Sequence, residues 1–368
     1  MKRVHKTWHG RKYFKGFDNF KMRVRRWRMP FFMTGVFRLR ALFVIALVAV
    51  PAASQVLHAD AAGDLASFSV FGKVDPAQGL KQPVAARGPK LSNDRDLSVQ
   101  AWCVVNAPLQ QAVATFQRWD AQPHADLGNY ASGVVSASPS AADFSALASA
   151  PGNSFVRAFD AATNKLPGGD GALQFASGDP AKFSGASGSK GGAISAKAVA
   201  FWSQILAERA KAFAGGGLSA IPAYQTAAGA VKPSAEAARM LDEQPALRKQ
   251  FGPLIDGARS AQVTWNLFKT ERLAAVALAA AWSKTDGSGW RHVSLNFYAS
   301  GGFYTLIEFT QFWPVTVNGK AMTLVWRGEA ISSGEIEALH GVERMGASAT
   351  TMKEVRRSLA SFMQAAGK

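Results

Sequence analysis

The stretch WRHVSLNFYAS, residues 290–300, constrains this chain more than any other. Val293, Leu295, Phe297 and Ala299 alternate with His292, Ser294, Asn296 and Tyr298. Successive strand side chains point to opposite faces, so the alternation predicts a strand with one apolar and one polar side. Gly301-Gly302 then turns into FYTLIEFTQFW, which Pro314 ends, and KAMTLVWRG follows. Between these two runs lies Asn318-Gly319, a pair that tolerates the positive φ angles of a two-residue hairpin. Residues 273–283, LAAVALAAAWS, are rich in alanine, which favours a helix. The KTDGSG turn after them and the strand beyond favour a hairpin arm, so they are read as a strand. Three or four antiparallel strands result.

Such a sheet must bury its apolar face, and the end of the chain supplies a cover. Residues 351–366 predict a helix. Thr351 and Glu354 have the spacing of a capping box, and Met352, Val355, Leu359, Phe362 and Met363 share one side. Earlier in the chain, LSVQAWCVV (97–105) predicts a strand. Asn106 then caps a helix whose apolar positions are Leu109, Ala112, Val113, Phe116 and Trp119, with Pro108 in its first turn. Residues 56–96 lack sustained periodicity and read as a leader segment with one short strand at 68–71. The run from 120 to 192 is rich in Gly, Ser, Ala and Pro and reads as long loops with a short helix near 141–147. Helices follow over 194–213 and 234–251, the second capped by Ser234 and broken at Pro245. The fold class is therefore α+β: one domain over 97–368, an antiparallel sheet covered by a long C-terminal helix, with a loop-rich and helical insertion at about 120–262.

The N-terminal region carries an address. Ala41–Ala53 is an uninterrupted apolar run of 13 residues. A membrane-spanning helix needs about 20, and Arg38 and Arg40 precede this one. A short apolar core after two arginines, followed by small residues, predicts a secretory signal within 1–54, cut after Ser54 or Ala61. This implies a periplasmic or secreted protein with no membrane anchor once the signal is cleaved. Residues 1–40 hold 13 of the 42 Lys and Arg, with Asp18 as the only acid. A start at Met33 or Met29 gives a signal of ordinary length, so residues 1–32 are expected not to be translated, and their basic character is not read as a nucleic-acid arm.

Several chemistries lack their motifs. GASGSKGG (185–192) has glycine after Lys190, where a phosphate loop needs Ser or Thr. No G-x-S-x-G elbow occurs. His58, His124, His292 and His340 have no spacing typical of metal ligands, so neither metal nor cofactor is expected. Cys103 is the only cysteine, which excludes an internal disulfide; its apolar neighbours predict a buried structural thiol. Two places keep chemistry open. His292, Ser294, Asn296 and Tyr298 form either a pocket wall or the wet face of a sheet. Glu308, if turned inward, needs a partner such as Arg291 or Arg327. The segment 326–346 gathers Arg327, Glu329, Glu335, Glu337, His340, Glu343 and Arg344, where an acid/base pair or local ion pairs fit equally.

The order of elements in VQAWCVVNAPLQQAVATFQRW (99–119) and in residues 290–366 resembles the START-like, helix-grip proteins. That resemblance implies a curved sheet gripping the last helix around an apolar cavity. The Gly-rich, partly helical stretch 120–262 has no counterpart in it. Together with the secretory signal, the resemblance leads to the expectation of an exported, non-catalytic protein that binds a lipid or other apolar small molecule. Val293, Leu295 and Phe297 would line the cavity from the sheet, and Val355, Leu359, Phe362 and Met363 from the helix. The alternatives are an exported hydrolase or lyase using the 326–346 cluster, or an envelope protein presenting its Gly/Ser-rich loops to a partner.

Overall fold

The computed structural model describes residues 60–72, 74–166, 172–183, 192–226, 229–256, 261–287 and 289–367. The signal segment and most of the GASGSKGG loop lie outside the described residues. Among the described residues ten strands are present: β1 (Val84–Arg87), β2 (Asp96–Val105), β3 (Asn129–Val134), β4 (Tyr224–Thr226), β5 (Gly229–Val231), β6 (Gln262–Lys269), β7 (Ala274–Asp286), β8 (Gly289–Ala299), β9 (Thr305–Val317) and β10 (Lys320–Ser332). The helices are α1 (Ala61–Phe68), α2 (Pro76–Gly79), α3 (Leu109–Asp120), α4 (Ser154–Asn164), α5 (Ala196–Gly216), α6 (Pro233–Asp242), α7 (Pro245–Asp256), α8 (Gly334–Glu337) and α9 (Gly341–Ala366). Among the described residues no helix is long and apolar enough to cross a membrane.

Eight strands make one antiparallel sheet in the order β1-β2-β10-β9-β8-β7-β6-β3, and β4-β5 form a separate hairpin. The α+β class expected from the sequence is the class observed. The meander β6 to β10 is built from consecutive hairpins. At the turn between β9 and β10, Asn318 and Gly319 have φ of 52° and 73°, the left-handed pair that a type I′ two-residue turn requires. Residues 273–283 are indeed strand, because β7 is buried on both sides over most of its length and its alanines let layers approach it closely.

The sheet divides the interior in two. One face carries Trp102, Leu324, Trp326, Ile307, Phe309, Val293, Leu295 and Val276, and packs against α1, α4, α5, α6 and α7. Phe213 of α5 stacks on Phe297 with ring centroids 4.5 Å apart. The other face begins with Val99, Ala101 and Cys103 of β2 and Val325 and Phe312 beside it, covered by α3 and α9. Phe362 of α9 meets Phe116 of α3 at 5.5 Å and Phe312 at 5.7 Å. Full burial of a side chain such as Leu359 contributes about 2 kcal/mol from area alone.

Several expectations are corrected. Residues 61–87 are not an unstructured leader with a strand at 68–71. Asp60 caps α1 by accepting from the Gly63 N–H at 3.0 Å, Leu65 and Phe68 enter the core, and β1 joins the sheet edge. Eight residues with three apolar contacts are too short to show a helical period. The insertion at 120–262 contributes β3 to the same sheet and ends where β6 begins, and α4 lies where loop was expected. Asn153 caps α4 by accepting from the Val156 N–H at 3.0 Å, a signal masked by the surrounding Gly and Ser. The start of α9 is Gly341, ten residues before Thr351. Thr351 lies inside the helix and donates its hydroxyl to the Ala347 carbonyl at 3.0 Å, so its capping pattern is unused. Ser234 is likewise inside α6, which Lys232 and Pro233 open.

Candidate functional site

On its second face the sheet changes character away from β2. Cross-strand register aligns Ser283, His292, Thr310 and Arg327 in one row, and Ala281, Ser294, Glu308 and Glu329 in the next. Because side chains in one row share a face, polar groups from four strands converge. Above them stand the C-terminal turn of α3 and the middle of α9. The space enclosed is a cavity of about 570 Å³, lined among others by Trp119, Asp120, Trp290, His292, Ser294, Asn296, Glu308, Arg327, Glu329 and Val355. This volume falls within the range of about 300–1,000 Å³ found for small-molecule pockets.

At its floor Arg327 joins the two glutamates. Its Nε donates to Glu329 Oε1 at 2.8 Å, and its Nη2 donates to Glu308. The three side chains are 12%, 10% and 23% exposed. Burial raises the pKa of both carboxyls, Arg327 opposes that rise, and the other carboxyl of the pair adds to it for Glu329. Burial disfavours the Arg327 cation, but Glu308, Glu329 and Asp120 outweigh this and hold it charged. Asp120 ends α3 at the cavity mouth. It keeps exposed surface there, yet the protein packed around the mouth desolvates it and raises its pKa.

His292 is buried at 9% exposure, stacked on Trp290 with centroids 5.4 Å apart, and its Nδ1 is 2.9 Å from Ser283 Oγ. Burial, with the positive Arg327 nearby, pushes its pKa down to about 4, so the ring is neutral near pH 7. His124 donates Nε2–H to the Trp119 carbonyl at 2.7 Å and lies tilted against the Trp119 ring, centroids 4.6 Å apart. Asn129 Oδ1, also on the wall, is buried without a hydrogen-bond partner. Among the described residues no group of three or more His, Cys, Asp or Glu is arranged to hold a metal ion.

The residues expected to line an apolar cavity do not meet. Val293, Leu295 and Phe297 point into the layer under α5, α6 and α7, whereas Val355, Leu359 and Phe362 lie on the opposite side of the sheet. Of these only Val355 borders the cavity; Met363 packs at the edge of the second core. The reason is parity: on β8 the side turned toward α9 is the one bearing His292, Ser294 and Asn296. Tyr298 departs from that side. The register shifts between Leu278 and Ala279, where the partners change from Tyr298 to Asn296 and leave Phe297 extra. This bulge turns Tyr298 into the first core, stacked near Tyr224.

The 326–346 segment is dispersed. Arg327 and Glu329 reach the cavity. Glu335 and Glu337 lie on α8, and His340 precedes α9. Arg344 clamps the β2 entry by donating to the Asp96 carbonyl at 2.6 Å. Glu308 does find Arg327, one of its two expected partners, while Arg291 donates to the Gln250 carbonyl at 2.7 Å and pairs with Asp286. Sequence reasoning missed Asp120, Ser283, Thr264 and Asn266 as wall residues. The signal available for the last two was a polar alternation in QVTWNLF, once β6 is recognised as strand. No family model matches the chain, and no curated protein matches it either.

Proposed function

We propose that this protein binds a small polar molecule in the space between the sheet and the α3–α9 cover. The observation that carries the reading is the floor: Glu308, Arg327 and Glu329 sit side by side at the centre of the sheet, under about 570 Å³ of open volume. Charged groups at the middle of a sheet cost folding energy unless they are paired or solvated. A fold that only needed a solid core would place apolar residues there, as the opposite face does. A lipid or other apolar guest fits this space poorly, since it would strip water from the carboxylates without replacing their hydrogen bonds. Enzymatic use of the 326–346 segment finds little support, because most of that segment lies away from the cavity.

Native mass spectrometry of protein purified under mild conditions tests the reading. The expected result is a discrete adduct on the wild-type chain that is absent from Ala281→Phe, a substitution that fills the cavity from β7. A wild-type mass equal to that of the bare chain, with a melting temperature unmoved by any compound in a panel of polar metabolites, overturns it.

A further inference from the structure

We infer that the guest of this cavity is a small organic cation, an amine or a guanidinium, held by the carboxylates of the floor and rim. The inference rests on the cavity reading above and adds the sign of the ligand's charge. Around the space, Asp120, Glu308 and Glu329 face the guanidinium of Arg327, while Glu354 at the rim pairs with Arg357 at 4.0 Å. Acidic side chains outnumber basic ones around the space, and His292 is held neutral by burial. Arg327 is already engaged by Glu308 and Glu329, so an anion approaching it meets two carboxylates.

Acidic groups alone would say little, since ion pairs also serve packing. Asn296 supplies the independent observation. It is 6% exposed and lines the cavity; its backbone is paired within the sheet and its carbonyl also accepts from Thr305 Oγ1 at 2.8 Å. Its side-chain amide has no partner among the described residues. An enclosed amide without a protein partner is unfavourable, and a bound hydrogen-bonding group relieves it. A guest rich in N–H donors satisfies the amide oxygen of Asn296 and the carboxylates together. The Trp119 ring beside them suits a cation as well.

Calorimetry on the purified chain with four probes decides the matter: putrescine, agmatine, butanediol and succinate. Putrescine, butanediol and succinate share a chain of similar length and differ in charge. The two cations are expected to bind, and butanediol and succinate are not. Asp120→Asn and Glu329→Gln are each expected to weaken cation binding roughly tenfold, about one charged hydrogen bond, and Ala281→Phe to abolish it. Asp120 lies at the rim, so its variant remains informative if Glu329→Gln fails to fold. Binding of succinate or butanediol that Ala281→Phe removes, with no binding of the cations, overturns the cation while leaving the cavity reading intact. Cation binding that none of these variants changes places the ligand elsewhere and overturns the inference. Silence from all four probes overturns it too, and the adduct measurement then decides whether the cavity reading falls with it.

Discussion

Glu308 and Glu329 are register partners across β9 and β10, two carboxylates directly opposite each other on one face of the sheet. Like charges so placed repel, and the arrangement holds because Arg327 bonds to both. Replacing Arg327 by Met therefore leaves two buried carboxylates uncompensated. The expected loss is about 3–5 kcal/mol, read as a lower denaturant midpoint. Adding Glu308→Gln and Glu329→Gln to Arg327→Met should restore much of that loss, which a double-mutant cycle measures. An Arg327→Met variant as stable as wild type would show that the trio holds nothing together.

The neutral His292 makes stability depend on pH. Its folded pKa lies near 4 and its unfolded value near 6.5, so between these the unfolded chain binds the extra proton. Stability is full above pH 6.5 and falls as pH drops toward 4, by roughly 3 kcal/mol from this group. The raised carboxyl pKa values of Glu308 and Glu329 act in the opposite sense, favouring the folded state as these groups protonate. Subtracting the pH profile of His292→Gln from that of wild type isolates the histidine's share. An identical slope in both proteins between pH 6.5 and 4 would contradict the assignment.

Cys103 is fully buried on β2, and burial pushes its thiol pKa far up. A thiol without access to the thiolate form does not react. It should resist a disulfide reagent in native buffer and react stoichiometrically in denaturant, followed by absorbance of the released thiolate. Rapid labelling of the folded chain would place Cys103 at the surface.

Val293 and Val355 sit on opposite sides of the sheet. Each Val→Ala change should cost about 2 kcal/mol, from two lost methylene equivalents and the small void left. Since the two sites share no partner, the double variant should show the sum to within about 0.5 kcal/mol. A coupling well above that would mean the two side chains line one common space.

Gly289 opens β8 where no side chain fits, because a Cβ there would lie 2.0 Å from the Phe312 carbonyl oxygen. Backbone cannot yield as a side chain does. Gly289→Ala should destabilise by about 1–3 kcal/mol, read as a fall in melting temperature.

The sequence by itself determined the elements with strong local signatures. The alternation of 290–300, the Asn318-Gly319 turn, the apolar period of 194–213 and that of the last helix each reflect chemistry within a few residues. These signals specify an antiparallel sheet with a terminal helix across it. Only the tertiary structure decided which side of the sheet that helix covers. Parity on a strand is fixed, but nothing in the alternation itself says which face meets α9. The register of β8, β9 and β10, and the bulge that turns Tyr298 away, are set by partners distant in sequence. The same holds for the site: Asp120, His292, Glu308 and Arg327 come from four elements spread over some two hundred residues. They converge because strand pairing aligns rows at a spacing that no local window contains.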